Sequence, residues 1–421
     1  MGRKQSLGWW AWGALVRALS LLHYGVLSRF SKSDEGGLSW YRRRLDPALP
    51  GPADRPRLWI HAVSAGESKV AGLLLDALRT SAPEIDVVLS ATTYSGFDRV
   101  TALAGPDRAF ILPPDTLSAQ RRVIGTIRPQ LLVLVESEYW PAQFESAREA
   151  GVPVVVVNAT LSDRSFRRHL KVPAIARRTL RRADHIHVQD EATRDRYLAL
   201  GVDPDRLSLC GNLKLSPPSG APVRIEGRET VTFGNIHEAE LPLLAEPVRR
   251  LRAARPGLRL IFVPRYPARV ADATIRAALG EEVTIIGDIT ALEGAGDLVW
   301  LKQMGTLATA YAASTLGVVC GTFAPIGGHD LAEPLHLGAV PVFGPHVERQ
   351  RALEAALARL DIARPLPDAA ALDQAVLELL MNPALRDEKL ARFTEATSAA
   401  TAGLQAIADD LKARVLTPRQ G

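Results

Sequence analysis

The segment Gly321-Thr322-Phe323-Ala324-Pro325-Ile326-Gly327-Gly328-His329-Asp330-Leu331-Ala332-Glu333-Pro334 decides the fold class of this chain. It follows an apolar run, residues 316–320, that has the length and composition of a buried parallel strand. It precedes residues 335–338, which are predicted to form a short helix that ends at a glycine. A strand, a glycine-rich loop and a helix start, in this order, present backbone N–H groups to a phosphate. The segment predicts a phosphate-binding loop of an α/β fold, and an ordinary loop whose glycines serve a tight turn explains it equally well.

Short apolar runs alternate with helical stretches along most of the chain. The runs with strand composition are residues 58–63, 86–91, 109–112, 131–135, 154–158, 185–188, 207–210, 231–234, 258–263, 283–286, 298–301, 316–320 and 340–343. Strands that alternate with helices predict parallel sheets that are covered by helices on both faces. A break rich in proline, serine and glycine at residues 216–222 lies between the seventh and the eighth run, and it predicts two such domains.

The predicted domain division follows from this break. We expect an N-terminal membrane-anchor helix over residues 1–35, a first doubly wound, Rossmann-like domain over residues 36–218, and a second over residues 219–421. The last part of the second domain, residues 383–416, has the pattern of amphipathic helices and contains no strand. Two doubly wound domains are expected to leave a central cleft at the carboxyl ends of both sets of strands, where ligands bind.

Residues 7–30 are apolar and aromatic, and Trp9, Trp10 and Trp12 lie near their start. The run is about long enough to span a bilayer, but Arg17 near its middle is costly there. No small-residue cleavage site of a secretory signal follows it. We therefore predict an uncleaved helix that spans the membrane or lies in its interface, with residues 40–44 (Trp-Tyr-Arg-Arg-Arg) as an interfacial anchor. The alternative is a helix that packs on the protein itself.

Composition and charge narrow the class of partner. The chain has 421 residues, a formal net charge of +5 and a pI of about 9.3, with arginine carrying most of the excess. Such a surface suits anionic lipid or phosphorylated substrates, although any one arginine cluster is more simply a solvated helix face. No nucleic-acid-binding motif accompanies it. Cys210 and Cys320 end apolar runs without metal-ligand or CxxC spacing, so we expect them to be buried and reduced, as in a cytosolic chain.

Acidic side chains follow two of the strands predicted in the first domain. Glu67 comes after the first strand, at the start of a helix over residues 70–78, where a carboxylate is stabilised in its ionised form. It is a candidate general base, and the alternative is an ordinary helix-start glutamate. Glu136 and Glu138 follow the fourth strand, and like charges so close together raise one pKa unless a cation answers them. The fifth strand leads into a polar loop, residues 158–165.

Basic side chains and a second polar loop complete the predicted ligand edge. Lys214 lies beside the domain break, from where it can reach a phosphate, although a solvated lysine is the usual case. Arg265 follows a strand of the second domain, and a guanidinium group binds phosphate bidentately. Residues 303–306 (Gln-Met-Gly-Thr) follow another strand and are expected to line a base pocket, and Glu333 is placed to accept hydrogen bonds from ribose hydroxyls. Together these groups predict an enzyme that acts on a nucleotide-activated substrate.

Six stretches carry a resemblance to a known family. They are Trp59-Ile60-His61-Ala62-Val63-Ser64-Ala65-Gly66-Glu67, Glu136-Ser137-Glu138-Tyr139-Trp140-Pro141, Asn158-Ala159-Thr160-Leu161-Ser162, Gly211-Asn212-Leu213-Lys214, Pro264-Arg265-Tyr266-Pro267 and Pro325-Ile326-Gly327-Gly328-His329-Asp330-Leu331-Ala332-Glu333-Pro334. In this order and spacing they resemble the 3-deoxy-D-manno-octulosonic acid (Kdo) transferases of lipopolysaccharide assembly, membrane-associated glycosyltransferases with the two-domain GT-B fold. The resemblance covers nearly the whole chain.

The resemblance implies an inverting transfer of Kdo from CMP-Kdo to a lipid A precursor at the cytoplasmic face of the inner membrane, without a cofactor, a metal or a covalent sugar–enzyme intermediate. By matched position, Glu67 would deprotonate the acceptor hydroxyl, and Glu138 and Lys214 would stabilise the transition state. The CMP-binding residues would be Pro264, Arg265, Met304, Gly305, Gly327, Gly328, Asp330, Leu331, Ala332 and Glu333.

Two single positions and one seven-residue stretch depart from the family pattern, and all of them lie in the donor half. The family has asparagine in place of Asp330, glutamate in place of Thr306, and Ser-Thr-His-Glu-Gly-Glu-Glu in place of residues 234–240. A GT-B glycosyltransferase with another nucleotide sugar or lipid acceptor is therefore an alternative. A non-hydrolysing nucleotide-sugar epimerase and a non-catalytic nucleotide-sugar binder are further alternatives. The predicted anchor argues against the epimerase, and retention of Glu67, Glu138 and Lys214 argues against the binder.

Overall fold

The computed structural model describes residues 12–19, 38–137, 139–171, 179–217 and 227–417. These residues form two compact units. The first contains residues 1–216 and 398–421, and the second contains residues 217–397. The division at residue 216 lies close to the predicted boundary, whereas residues 398–421 belong to the first unit and not, as expected from their place in the sequence, to the second.

The first unit is built on a seven-stranded sheet in which every neighbouring pair of strands is parallel. Its strands are β1 (Arg57–His61), β2 (Asp86–Ala91), β3 (Ala109–Ile111), β4 (Leu131–Val135), β5 (Val154–Ala159), β6 (His185–Val188) and β7 (Leu207–Leu209). Their order is β3-β2-β1-β4-β5-β6-β7. The direction of winding reverses between β1 and β4, which is where a doubly wound sheet opens a crevice at its carboxyl edge.

Helices cover both faces of this sheet, because its strands are apolar on both sides. They are residues 12–19, Leu38–Leu45, Ala65–Ser81, Tyr94–Ala104, Leu117–Ile127, Pro141–Glu149, Asp163–Lys171 and Glu191–Ala199, with single 3₁₀ turns at Pro106–Arg108, Pro204–Arg206 and Leu213–Leu215. Side chains from alternate strand positions enter two separate apolar clusters, so β1 contributes Leu58 and Ile60 to one and Trp59 to the other. Continuous apolar strands of this kind are typical of parallel sheets buried on both faces.

The second unit repeats this architecture with six parallel strands. They are β8 (Thr230–Ile236), β9 (Arg259–Pro264), β10 (Thr284–Ile286), β11 (Leu298–Leu301), β12 (Leu316–Val319) and β13 (Val340–Phe343). Their order is β10-β11-β9-β8-β12-β13, so the winding reverses between β8 and β12. The helices are Leu241–Ala254, Asp272–Leu279, Leu307–Ala312, Glu333–His336, Arg351–Arg359 and Leu372–Met381, with 3₁₀ turns at Glu238–Glu240, Ile289–Leu292 and Ala369–Ala371.

The last helix is one continuous element, Pro383–Leu416, where the sequence predicts several. Its second half packs directly on the segment after β7. A Cβ atom added to Gly403 would lie 1.9 Å from the carbonyl oxygen of Cys210, and one added to Gly211 would lie 2.9 Å from the backbone nitrogen of Ala400. Two glycines therefore allow backbone-to-backbone contact, and this contact explains why the end of the chain belongs to the first unit.

All thirteen predicted strands are confirmed, with ends that differ by two residues at most. The prediction of two α/β units with parallel sheets is also confirmed. Cys210 and Cys320 are buried and free, as predicted, and burial raises the pKa of the Cys210 thiol to about 12. The short helix after the glycine-rich loop begins at Glu333, two residues before its predicted start.

The prediction of an interfacial anchor at residues 40–44 is wrong, because Trp40 and Tyr41 are only 2% and 3% exposed. The Trp40 indole donates a hydrogen bond to the carbonyl oxygen of Thr92 at 3.1 Å, and its ring lies 5.4 Å from that of Tyr94. The aromatic residues of the Leu38–Leu45 helix thus belong to the core of the first unit.

Most of the predicted anchor over residues 1–35 lies outside the described residues. The described part, residues 12–19, is helical, and the Trp12 indole donates to a carboxylate oxygen of Asp115 at 3.1 Å and to its carbonyl oxygen at 2.9 Å. At Trp12 the structure therefore agrees with the alternative prediction, a helix that packs on the protein itself. Among the helices that the structure describes, none combines the length and apolar character that crossing a bilayer requires.

Candidate active site

The carboxyl ends of β1 and β4 place the predicted catalytic residues of the first unit. The chain leaves β1 at His61 and enters the helix Ala65–Ser81, whose first turn contains Glu67. It leaves β4 at Val135 and reaches Glu136 one residue later. Because β1 and β4 are neighbours at the reversal of winding, the two carboxylates lie at one edge of the sheet.

Glu67 completes a reciprocal cap at the helix start. Ser64 is the N-cap residue, and its hydroxyl donates to one Glu67 carboxylate oxygen at 2.8 Å. The other carboxylate oxygen accepts from the backbone N–H of Val63, also at 2.8 Å. The side chain is 9% exposed. These bonds fix the carboxylate in one orientation.

Lys214 forms an ion pair with Glu136. The two side chains are 15% and 17% exposed, so the charges are largely shielded from water. The Lys214 ammonium also lies beside the helix start that bears Glu67, because a Cβ atom added to Gly66 would be 3.9 Å from Nζ. A cation at a helix N-terminus opposes the helix dipole, and Glu136 compensates for this. The structure thus brings Glu67 and Lys214 together and adds Glu136, which the sequence analysis had noted without assigning it a role.

A buried asparagine holds the Lys214 segment over the sheet. The Asn158 side-chain oxygen accepts from the backbone N–H of Leu213 at 2.9 Å, and its amide group donates to Glu136 at 3.4 Å. Asn158 adopts a positive φ of 53°, which asparagine tolerates better than most residues, at an irregularity in the β5–β6 pairing. The chain after the edge strand β7 therefore returns toward the middle of the sheet. The motif Asn158-Ala159-Thr160 was visible in the sequence, but this function of Asn158 was not.

Glu138, the third predicted catalytic residue, lies outside the described residues. The other of the two neighbouring carboxylates, Glu136, pairs with Lys214.

In the second unit, the predicted nucleotide-binding residues follow the central strands of the sheet. Pro264 ends β9, and Arg265 follows it with its backbone N–H bonded to the carbonyl oxygen of Ile236 at 2.9 Å. Met304 and Gly305 follow β11, and the glycine-rich loop follows β12. Across the order β11-β9-β8-β12, these segments span three strand spacings, about 14 Å at the carboxyl edge.

The glycine-rich loop does not offer all of its backbone N–H groups to a ligand. The carboxylate of Glu240 is fully buried and accepts hydrogen bonds from the N–H groups of Gly321, at 2.7 Å, and Phe323, at 3.1 Å. It also accepts from the N–H of His237 at 3.1 Å. Burial raises the pKa of Glu240, and these backbone hydrogen bonds oppose the rise. The N–H groups of Gly321 and Phe323, at the start of the loop, are therefore not available to a phosphate, because an internal carboxylate occupies them.

We expect the Glu240→Gln variant to destabilise the second unit by about 1–3 kcal/mol, because the amide group turns a donor toward backbone donors that would then lack an acceptor. Differential scanning calorimetry should show a melting transition lowered by roughly 2–4 °C per kcal/mol. The control is Glu238→Gln, a neighbouring exposed glutamate in the same 3₁₀ turn. Equal melting temperatures for the two variants would contradict this role of Glu240.

The rest of the loop contains glycines with positive φ and residues whose side chains are buried. Gly327 and Gly328 have φ values of 105° and 84°, so both need the freedom of glycine. Leu331 and Ala332 are fully buried, so their side chains belong to the core. The Asp330 carboxylate accepts from the N–H of Ala332 at 3.0 Å, a bond that the carbonyl oxygen of asparagine would also make. Departure from the family pattern at this position therefore preserves the local turn.

The segment predicted to line a base pocket, residues 303–306, is partly exposed and partly buried. Met304 is 63% exposed, and Gly305 has a φ of 80°. In contrast, the Thr306 side chain is buried and donates to the carbonyl oxygen of Gln303 at 3.0 Å, while the Gln303 side chain accepts from the N–H of Ile289 at 2.8 Å. Met304 and Gly305 are thus the members of this segment that remain available to a ligand.

Three further residues, His237 after β8, His329 after β12 and Arg349 after β13, were not selected by sequence reasoning. The Nε2 atoms of His237 and His329 lie 2.9 Å apart. Burial lowers the pKa of each imidazole, and the nearby charges of Arg265 and Arg349 lower it further. Only the strand order at the reversal of winding brings His237 next to His329, and no local pattern marks Arg349. Within the described residues, no cluster of side chains is suited to hold a metal ion.

A family model and curated relatives identify the family of this chain. Residues 38–216 match the family model described as 3-deoxy-D-manno-octulosonic-acid transferase (kdotransferase). A 3-deoxy-D-manno-octulosonic acid transferase of Chlamydophila psittaci is 30% identical over 320 residues, which cover 72% of this chain and 72% of that protein. One of Bordetella pertussis is 29% identical over 386 residues, which cover 86% of this chain and 87% of that protein.

Solved structures support the fold alone. MurG of Acinetobacter baumannii matches 85% of this chain and 99% of its own with a TM-score of 0.51 and 13% identity. The UDP-GlcNAc 2-epimerase of Neisseria meningitidis matches 85% of this chain and 100% of its own with a TM-score of 0.50 and 13% identity. Glycosyltransferases and epimerases share this architecture, so the likeness identifies a GT-B type of α/β fold and no ligand.

Proposed function

Because this chain belongs to the 3-deoxy-D-manno-octulosonic acid (Kdo) transferase family, we propose that it moves Kdo from CMP-Kdo to a lipid A precursor in the assembly of the lipopolysaccharide core. The single observation that carries this proposal is the relative that is 30% identical over 72% of both chains. The described catalytic residues predicted from the sequence, Glu67 and Lys214, stand together at the carboxyl edge of the first sheet.

The proposed reaction is an inverting displacement at the anomeric carbon. Glu67 accepts the proton of the acceptor hydroxyl, whose oxygen forms the new bond to the sugar. The bond between the anomeric carbon and the phosphate oxygen breaks, and its electron pair leaves with CMP. The orientation of the Glu67 carboxylate by Ser64 and Val63 supports its role as base. Lys214 supplies positive charge where negative charge develops.

We propose that the second unit binds the donor through the residues that follow β9, β11 and β12. Arg265 is the phosphate ligand, since its guanidinium group lies at a strand end and has no ion-pair partner among the described residues. Pro264, Met304 and Gly305 with Gly327, Gly328 and the segment 330–333 complete the nucleotide site. CMP-Kdo is a substrate in this scheme, and the reaction needs no cofactor.

We further propose that the protein works at the cytoplasmic face of the inner membrane, where its lipid acceptor is made. Support comes from exposed apolar side chains beside exposed cations. In the helix 12–19, Leu15 and Leu19 are 50% and 56% exposed around Arg17, which is also exposed. The helix Asp163–Lys171 exposes Arg164, Arg167 and Arg168 together with Leu170. Such surfaces favour contact with anionic lipid.

The test of the proposed function is CMP release from CMP-Kdo in the presence of a lipid A precursor in detergent. A panel of other CMP- and UDP-sugars, measured in parallel, tests the donor. We expect release only with CMP-Kdo and only when the acceptor is present. Turnover of another nucleotide sugar, with none of CMP-Kdo, would show that the changes at Thr306, Asp330 and residues 234–240 have altered donor choice.

We expect Arg265→Ala to weaken CMP binding by about 1.5–3 kcal/mol, roughly 10- to 150-fold in Kd, because a charge-assisted hydrogen bond to the phosphate is lost. Titration calorimetry with CMP and with cytidine separates the phosphate contribution from the rest. The matched control is Arg269→Ala. The guanidinium groups of Arg269 and Arg265 lie over the same Tyr266 ring, at 4.2 Å and 5.3 Å from its centroid. An unchanged CMP affinity of Arg265→Ala would refute the phosphate role.

A further inference from the structure

Two histidines stand at the reversal of winding of the second sheet, one after each of the strands that flank it. His237 follows β8, and His329 lies in the loop after β12. Their Nε2 atoms are 2.9 Å apart, and their ring planes differ by only 16°. A nitrogen–nitrogen distance of this size is a hydrogen bond, so one ring donates its Nε2–H and the other accepts with its Nε2 lone pair.

The fold is shaped to allow this pair. Gly321, the first residue of the glycine-rich loop, has a φ of 75°, and a Cβ atom added there would lie 2.6 Å from Cδ2 of His329 and 3.7 Å from Cδ2 of His237. Any other residue at position 321 would collide with the His329 ring. Gly321 and the backbone N–H of His237 are both bound to the carboxylate of Glu240, which fixes the two segments relative to each other.

Two unpaired guanidinium groups face the histidines. Arg265 follows β9, and Arg349 follows β13, where its side chain lies 3.0 Å from the Cβ position of Gly327. Within the described part of the chain, no carboxylate pairs with either guanidinium group. The titratable and charged groups around the histidines are Arg265, Tyr266, Arg269, Glu238, Glu240, Asp330 and Arg349. Glu240 and Asp330 accept hydrogen bonds from backbone N–H groups, and neither pairs with Arg265 or Arg349, so these two guanidinium groups are available to an anion.

We infer that His237 and His329, together with Arg265 and Arg349, bind the phosphate of the donor nucleotide as one unit and take up a single proton with it. The inference rests on the proposed function for the identity of the ligand, a nucleoside monophosphate ester. From sequence alone, the expected phosphate ligands are Arg265 and the N–H groups of the glycine-rich loop, and Glu240 occupies two of those N–H groups. Side chains must therefore supply the phosphate-binding hydrogen-bond donors that the N–H groups of Gly321 and Phe323 do not.

The hydrogen bond between the rings sets the number of protons. A neutral pair carries one proton in the shared bond, and one added proton on an outer nitrogen preserves that bond. A second added proton would place two N–H groups against each other. The pair therefore alternates between a neutral and a singly charged state.

Binding of an anion switches the pair between these states. In the free protein, burial and repulsion from His237, Arg265 and Arg349 lower the pKa of His329 to about 4, and burial with the two arginines lowers the pKa of His237. The pair is therefore neutral at pH 7. A phosphate dianion reverses the local sign of charge and favours the protonated pair. During transfer the donor phosphodiester, a monoanion, leaves as the CMP dianion. The acceptor proton goes to Glu67, and the histidine pair takes its own proton from the solvent as the second negative charge develops on the phosphate. The charged pair and the two arginines then stabilise CMP.

The test counts protons directly. CMP is titrated into the full-length protein at pH 7.5 in two buffers with different ionisation enthalpies, because the buffer dependence of the binding enthalpy gives the number of protons taken up. Cytidine is the matched ligand without a phosphate. We expect uptake of up to one proton per CMP and none with cytidine.

The variants His237→Gln and His329→Gln replace each ring by an amide that can keep a hydrogen bond to its partner. We expect each to reduce proton uptake and the double variant to abolish it, with CMP binding weakened about tenfold. Melting temperatures check that each variant is folded. CMP binding by the wild-type protein without proton uptake, or undiminished uptake by the double variant, would overturn the inference.

Transfer from CMP-Kdo, assayed on the same preparations, separates this inference from the proposed function. If the protein transfers Kdo but takes up no proton when it binds CMP, the proposed function is supported and the inference about the histidine pair is refuted. If proton uptake accompanies binding of another nucleoside monophosphate, and the protein turns over the matching nucleotide sugar, CMP-Kdo is not the donor. The inference about the histidine pair is then still supported.

Discussion

Replacing Glu67 with glutamine is expected to slow Kdo transfer by about two to four orders of magnitude while the first unit keeps its fold. Glutamine at this position still accepts from the Val63 N–H and still interacts with the Ser64 hydroxyl, because a capping box tolerates either side chain. The variant therefore removes basicity and charge but not the helix start. Transfer is measured as acceptor-dependent CMP release, and CMP affinity by calorimetry should remain nearly unchanged.

The matched control for this prediction is Asp368→Asn. The Asp368 carboxylate accepts from the N–H groups of Ala370 and Ala371, at 2.9 and 3.3 Å, at another helix start of the chain. The Asp368→Asn variant makes the same exchange of a carboxylate for a carboxamide, at a position that has no proposed role in the reaction. Equal losses of transfer in the two variants, or a Glu67→Gln variant that transfers Kdo at the wild-type rate, would show that Glu67 is only a capping residue.

Replacing Lys214 with methionine is expected to lower the transfer rate by about two to three orders of magnitude, because a preorganised positive charge is lost from the site. It also leaves the largely shielded carboxylate of Glu136 without its partner. We expect that loss to cost roughly 1–3 kcal/mol of stability, less than for a fully buried pair, since both side chains keep some exposure. Calorimetry of the first unit and acceptor-dependent CMP release measure the two effects separately.

A double variant separates the structural role of Lys214 from its role in the reaction. Lys214→Met combined with Glu136→Gln has no unpaired charge, so we expect it to recover most of the lost stability. Transfer should remain low, because the positive charge beside Glu67 is still absent. Recovery of transfer together with stability would mean that Lys214 only neutralises Glu136 and takes no direct part in the reaction.

The local pattern of the chain was enough to predict its strands and its fold class. Apolar runs such as residues 131–135 and 316–320 read as buried strands because a parallel sheet covered on both faces needs side chains that are apolar on both faces. Glu67 was identifiable from local sequence too, since it stands at the start of the helix that directly follows a strand, where an ionised carboxylate is stabilised. In contrast, Trp40 and Tyr41 were assigned to a membrane interface because aromatic residues beside arginines look alike in a core and at a bilayer surface.

By itself, the sequence determined the alternation of strands and helices, the family and the predicted acid, base and phosphate ligands, because each depends on residues close together in the chain or on matched motifs. Which of these groups meet depends on the tertiary structure. Glu240 reaches the N–H of Gly321 across 81 residues, and His237 reaches His329 across 92. These contacts exist because β8 lies beside β12, and Lys214 reaches Glu136 because Asn158 holds the Leu213 backbone over the sheet. Strand order depends on packing across the whole core, so no local pattern encodes it.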